Sequence, residues 1–459
     1  MRTINLSIIF IIASVNFNYA QTLLNPGYEY GTLPTNINQS DIIEAYTSWK
    51  SKYTTHCNAN SIRVKFDNPN ETVSEGIGYG MLIAAYAGDQ TLLDGLWHYY
   101  QSFLNENDVM HWKIQECSSV IGQNGATDAE LDVAMALLIA NTRWGSTGSI
   151  NYSNAASTLI NIIKTHEIES GTHVLKPGDA WGGSATTNIS YYSPAYYRAY
   201  ASHTNDGSWN NVASKSYQII QLNQSQNNAK FNLVSDWCQA DGSFSTQVGW
   251  AKYAGQAYSY DAARTPWRLT LDYLWYGNSD ALSYANKAIA FINDKGGLDN
   301  IYPGYNLDGT AYEMGYKDVT FTGAYAVAAM ASNNQDFVNL AYSKVVNMKS
   351  DAYFASTLRV LYLLTLSGNF YSPEKMLTLG APQSNRVIYA SFYPHPVINT
   401  LYLNFGSHYN NVVKLYNLSG TLLMDKACPE NVTQIELQHL NSGLYIIVIN
   451  GVPYKLLKE

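Results

Sequence analysis

Charge is scarce in this chain. Lys and Arg number 27 and Asp and Glu 35 among 459 residues, 14% in all, and basic residues form no cluster. Nucleic acids and anionic membrane surfaces demand neutralised phosphates, so a net charge of -8 without a basic patch excludes both as partners. Cysteine is rarer still. Cys57, Cys117, Cys238 and Cys428 lie far apart with no CxxC spacing, which excludes a cysteine-ligated zinc site and a dense disulfide framework. One long-range disulfide stays open, and its pairing is not legible. The nine histidines show no metal-ligand spacing, so no metal is expected. The first twenty residues carry Arg2, an apolar stretch from Leu6 to Val15 and a short polar segment ending in Ala20. A span needs about 20 apolar residues, so this stretch is too short for an anchor and reads as a secretory signal peptide, residues 1–20, cleaved near Ala20.

What the chain has instead is rings. Aromatics reach 13%, with 38 tyrosines and 10 tryptophans, and 46% hydrophobic composition is enough for a large core. Its polar surface must therefore consist largely of neutral hydrogen-bonding groups and ring faces, which suits a neutral, hydroxylated ligand.

Helical periodicity dominates up to about residue 372. Residues 91–103 place Leu92, Leu93, Leu96, Trp97, Tyr100 and Phe103 on one face, as a surface helix does. Residues 129–140 and 357–366 are apolar nearly all round, the mark of helices buried on every side. Alternation of the two kinds predicts an all-α domain of two concentric helix layers over residues 21–372. After a linker at 373–385, punctuated by Pro373 and Pro382, period-two runs such as "TLYLNF" and "LYIIVI" separated by "LSG" and "NSG" turns predict a small all-β sandwich over 386–459.

Three acids stand at the heads of apolar helical runs. Glu75 follows Ser74 in "VSEGIGYGM". Asp128 lies inside Thr127-to-Glu130, a capping-box pattern. Asp261 opens "YDAARTPWR", with Arg264 one turn on. Taken singly, each reads most simply as a cap that satisfies orphan N–H groups. Taken together they sit among aromatics and glycines (Tyr79, Trp112, Tyr258, Tyr260, Trp267), which caps do not require. Cleavage of a glycosidic bond needs one acid kept protonated and a second kept ionised across a ring held on aromatic faces. A helix N-terminus favours the ionised form, which suits Asp261 as base. It opposes Glu75 as acid, so burial or a neighbouring carboxylate such as Asp128 must outweigh the dipole. Gly76, Gly78 and Gly80 would let another group, a ligand included, approach closely behind Glu75.

The motifs "TVSEGIGYGML", "MHWKI", "GATDAELDVA", "WGSTGSINY", "HVLKPGDAWGG", "LVSDWC", "YDAARTPWR" and "SGNF" resemble, in order and spacing, those of the endoglucanases of glycoside hydrolase family 8, from about Tyr28 to Phe370. The resemblance implies an (α/α)6 barrel that cleaves β-1,4-glucan with inversion and without a cofactor. By position it makes Glu75 the general acid, Asp261 the base that activates water and Asp128 the aspartate that holds the distorted sugar. It places Trp112 and Trp181 as stacking surfaces, Tyr191 and Tyr353 as active-site tyrosines, and Arg264 as the ion partner of Asp261. Glu130 stands where some relatives carry aspartate. Xylan, mixed-linkage glucan and chitosan are the alternative substrates within the class; a non-catalytic glycan-binding protein is the alternative outside it. "YPHPV", "VKLYNLSGTLL", "LNSGLYIIVING" and "YKLLK" resemble the C-terminal sorting domain of proteins exported by type IX secretion. That resemblance implies a secreted or cell-surface protein whose partners are a polysaccharide and the export machinery. The chain is expected to be monomeric.

Overall fold

The computed structural model describes residues 23–375 apart from Glu313, and residues 391–459 apart from His395, 405–410, 418–419, 429–431 and 450–451. The signal peptide and most of the linker expected from the sequence lie outside the described residues. The chain divides into two compact units, Met1–Leu377 and Thr378–Glu459.

The first unit holds twelve α-helices among its described residues: α1 (Gln39–Tyr53), α2 (Ser74–Ala87), α3 (Gln90–Gln101), α4 (Thr127–Trp144), α5 (Tyr152–His166), α6 (Pro194–Thr204), α7 (Ser208–Gln226), α8 (Thr265–Tyr276), α9 (Ser279–Asp294), α10 (Val319–Ala328), α11 (Gln335–Asn347) and α12 (Tyr353–Leu366). They alternate in character. The even-numbered helices are buried along most of their length, whereas an odd-numbered helix such as α3 buries only Leu92, Leu93, Gly95, Leu96, Tyr99 and Tyr100. The even helices form the inner ring: α12 touches α2, α2 touches α4, α6 touches α8, α8 touches α10 and α10 touches α12. Between α4 and α6 the Tyr200 hydroxyl donates to the Leu131 carbonyl. This is an (α/α)6 barrel, as the family resemblance implies, and its rings are the two helix layers that the periodicity predicts. Close approach inside the ring depends on glycine. A Cβ on Gly323 in α10 would come within 2.2 Å of the Tyr362 ring in α12, so no larger residue fits there.

Short strands decorate the barrel: β1 (Thr54–His56) pairs with β2 (Ile62–Val64), β3 (Glu71–Val73) with β4 (Lys113–Gln115), β4 with β5 (Ser119–Gly122), and β6 (Thr187–Asn188) with β7 (Trp237–Cys238), all antiparallel. A Cys57–Cys117 disulfide ties the β1–β2 hairpin to the turn after β4, and Cys238 and Cys428 are free and buried. The disulfide left open by the sequence is thus assigned.

In the second unit β8 (Ser391–Tyr393), β9 (Thr400–Asn404) and β12 (Val432–Glu436) form one antiparallel sheet, and β10 (Asn411–Tyr416), β11 (Leu422–Cys428), β13 (Gly443–Ile449) and β14 (Val452–Lys458) another. Leu401 and Leu403 of the first share a core with Val413, Leu415, Ile447 and Ile449 of the second, which makes the unit a small sandwich.

Candidate active site

The three acids do not act as caps. Five of the six outer helices are capped conventionally by an Asn or Asp side chain that accepts a backbone N–H, as Asp89 does from Leu92 and Asn278 does from Ala281. At α2, α4 and α8 no side-chain cap exists. Ser74 and Thr127 are the first helical residues there, following Val73 and Ala126, so the expected Ser74 cap and the Thr127–Glu130 capping box are not formed. Their backbone N–H groups reach loop carbonyls instead, Ser74 to Trp112 at 2.9 Å and Thr127 to Pro177 at 3.2 Å. Distant loops therefore satisfy the helix ends and leave the acid side chains for other work.

That work centres on Arg264, whose side chain is 1% exposed. Its Nη1 donates to Glu75 Oε2 at 2.9 Å, Asp128 Oδ2 at 2.8 Å and Tyr79 Oη at 3.0 Å; its Nη2 donates to Ser190 Oγ at 2.7 Å and Asp261 Oδ1 at 3.2 Å. One guanidinium thus gathers acids from three inner-helix N-termini, the farthest of them 189 residues from Arg264 along the chain. The sequence-based reading paired Arg264 with Asp261 alone; the structure shares it among all three acids and seals it from any ligand. Below this layer Arg268 binds both oxygens of Asp132, at 2.9 and 2.8 Å, in a second buried pair.

The acids differ in access. The Asp261 side chain is 34% exposed, that of Glu75 21%, and that of Asp128 2%. Both Asp128 oxygens are engaged, Oδ2 by Arg264 and Oδ1 by the Ala129 N–H at 3.1 Å. Burial in the surrounding protein, joined by the charges of Asp128, Asp261 and Asp132 and opposed by Arg264, raises the Glu75 carboxyl to about 8. Burial likewise raises Asp128, against the pull of Arg264 and Arg268. The Glu75 and Asp261 oxygens on Arg264 can be no farther apart than two hydrogen bonds plus the width of a guanidinium. That bound is compatible with the roughly 6.5–9.5 Å spacing that admits a water between acid and base.

Behind Glu75 the glycines admit protein groups. A Cβ on Gly76 would lie 2.7 Å from the Tyr353 hydroxyl, and one on Gly78 3.0 Å from the Ala129 carbonyl. A ligand does not occupy that side. Tyr353 is itself 2% exposed, edge-on to Phe66 and Tyr53, so it packs beneath Glu75 and offers no ring face to a sugar. Trp112 and Trp181 are exposed. The Trp112 ring lies against Gly122, and its carbonyl holds the residue just before Glu75. Trp181 stacks on Trp237, centroids 5.5 Å apart, and Tyr191 lies edge-on to Trp237 at 6.3 Å with its ring 5.4 Å from the Arg264 guanidinium carbon.

Two residues escaped the sequence reading although both stand in "LVSDWC". Trp237 donates from Nε1 to Asp261 Oδ2 at 2.9 Å. Asp236, 2% exposed, accepts the N–H groups of Ser259 and Ala262 on one oxygen, at 2.9 and 2.8 Å, and so clamps the turn that carries Asp261; burial and the charge of Asp261 push its carboxyl well up. The only signal was their adjacency within one motif. Nothing in the sequence pairs position 237 with 261.

The sequence model of Glycosyl hydrolases family 8 matches residues 30–368, and that of the Secretion system C-terminal sorting domain matches 391–458. Over 367 residues the chain is 39% identical to Endoglucanase A of Acetivibrio thermocellus, covering 76% of this chain and 74% of that one. Among solved structures, the apo β-1,3-1,4-glucanase of Paenibacillus sp. X4 superposes with a TM-score of 0.70 at 31% identity, over 75% of this chain and 97% of the other. A cold-adapted family 8 xylanase superposes with a TM-score of 0.63 at 25% identity, over 76% and 98%.

Proposed function

The chain belongs to glycosyl hydrolase family 8 and is an endo-acting β-1,4-glucanase exported by way of its C-terminal sorting domain, and from that premise we propose that Glu75 is its general acid and Asp261 its general base in an inverting reaction. The observation that carries the assignment is the gathering of three carboxyl groups on Arg264 with unequal surroundings: Glu75 raised to about 8, Asp261 the most open to solvent. A carboxyl raised by its surroundings beside a second one open to solvent is what proton donation and water activation require.

In the cleavage step Glu75 gives its proton to the glycosidic oxygen as the C1–O bond breaks. Asp261 takes a proton from a water that attacks C1 from the opposite face, and the product leaves with inverted configuration. Arg264 neutralises the developing charge on Glu75 as the proton departs, and Trp237 on Oδ2 together with Arg264 on Oδ1 fixes the orientation of the Asp261 carboxylate that takes the proton of the water. Asp128 opposes ionisation of Glu75 and, on this reading, lines the floor where the distorted sugar sits. Trp112, Trp181 and Tyr191 supply ring faces to neighbouring glucosyl units. The limits proposed for the parts are signal 1–20, barrel 21–372, linker 373–385 and sorting domain 386–459.

Reducing-sugar release from carboxymethyl cellulose, mixed-linkage glucan, xylan and chitosan tests the reading. The expected order puts the two glucans first; a clear preference for xylan would move the protein to the second reading, which the family 8 xylanase neighbour favours. The pH profile is a further check. A general acid works in its protonated form, so a carboxyl raised to about 8 donates at neutral pH and stops as pH rises through that value. kcat/KM on glucan should hold up to roughly pH 8 and then fall about tenfold per unit; an alkaline limb near the ordinary carboxylate range would remove Glu75 from the role. Trp181→Ala removes a ring that binds ground state and transition state alike, so KM should rise about tenfold with kcat little altered, the pattern of uniform binding. A fall in kcat with unaltered KM would make the ring a support for Trp237 instead.

A further inference from the structure

Trp250 is 71% exposed, more than any other large hydrophobic side chain among the described residues. It is not loose. Its ring meets Trp237 edge to face, centroids 5.6 Å apart at 73°, and Trp237 is the residue that donates to Asp261 and stacks on Trp181. Three indoles therefore run in contact, Trp181 to Trp237 to Trp250, with the middle one on Asp261. The segment carrying Trp250 is fastened at both sides. Val248 is fully buried, a Cβ on Gly255 would lie 3.0 Å from the Trp237 side chain, and Tyr253 lies face to face with Tyr312 at 4.2 Å and 7°. A ring of this size held rigidly in water leaves apolar area that a ligand can cover, and its place one buried indole away from the exposed Trp181 says which ligand. A protein interface would call for a contiguous apolar patch; here the ring leads through Trp237 to the Asp261 carboxylate and to the exposed Trp181. Two exposed rings, Trp250 and Trp181, on either side of the indole that holds Asp261 suit the CH faces of successive units in a β-glucan.

We propose that Trp250 is an additional glucosyl-binding platform that prolongs the cleft past Trp181 and Trp237, so that it engages chains longer than the units held next to the cleavage point. The proposal rests on the glucanase reading above. Because the platform meets sugars away from the broken bond, its binding energy enters through KM and only for chains long enough to reach it.

The test compares wild type, Trp250→Ala and Trp250→Phe on cello-oligosaccharides from cellotriose to cellohexaose, with kcat and KM measured separately. For Trp250→Ala the penalty in kcat/KM should grow with chain length, reach about tenfold on the longest substrate and lie in KM, while Trp250→Phe recovers most of it. A penalty equal at every length, or one in kcat, would overturn the proposal by showing that Trp250 merely braces Trp237. No penalty at any length from an active wild type would overturn it alone. A wild type inert on every oligosaccharide would overturn the glucanase reading and the platform with it.

Discussion

Glu75→Gln should lower kcat on β-1,4-glucan by roughly 10²–10⁴-fold, the usual yield of general acid catalysis. Glutamine keeps the size of the side chain and can still accept the Arg264 Nη1 hydrogen bond, so the site should hold its shape and KM should stay near its wild-type value. What disappears is the proton. The consequence depends on the leaving group: a 2,4-dinitrophenyl cellobioside departs without protonation, and on it the deficit should shrink to a few-fold. The residual activity of the variant should also lose its alkaline limb, since the group that produced it is gone. A variant that retains near-wild activity on glucan, or loses activity equally on both substrates, would remove Glu75 from the donor role.

Asp261→Asn should lower turnover on glucan and on the activated substrate alike, by a factor at least in the same range of roughly 10²–10⁴, because no leaving group replaces water activation. Asparagine can present its carbonyl to the Trp237 Nε1, so the turn held by Asp236 should persist and oligosaccharide binding with it. Two readouts separate a base from a structural residue. Added azide, a nucleophile that needs no deprotonation, should restore product formation as the α-glycosyl azide. In addition, Asp261 is one of the charges that raise Glu75, so its removal should move the alkaline limb of the residual activity downward from about pH 8. Loss of binding together with turnover, or an unmoved limb, would count against the assignment.

The bland reading of the three acids as caps was reasonable and fails for a tertiary reason. A pattern such as Thr127-to-Glu130 is a capping box only if the helix-end N–H groups have no better partner, and here Pro177 and Trp112 supply carbonyls from loops far along the chain. Glu130 turns instead into the interior, where it accepts from the Tyr100 hydroxyl. Tyr353, expected as an active-site tyrosine, lies beneath Glu75 for a related reason: whether a tyrosine at the start of a helix faces the cleft or the packing under it depends on α2, whose Gly76 leaves room for its hydroxyl.

The sequence by itself determined the barrel and the sandwich, because burial on one face, on all faces or on alternate residues leaves a periodicity that neighbours in the chain record. It also held the family motifs that point to Glu75, Asp128 and Asp261. Only the tertiary structure decided how these acids differ. Apart from the neighbouring pair Arg264 and Asp261, the sharing of Arg264, the rise of Glu75, the clamp from Asp236 and the contact of Trp237 with Asp261 arise between residues from 23 to 189 positions apart. Desolvation and charge coupling depend on distance through space, which no local pattern encodes.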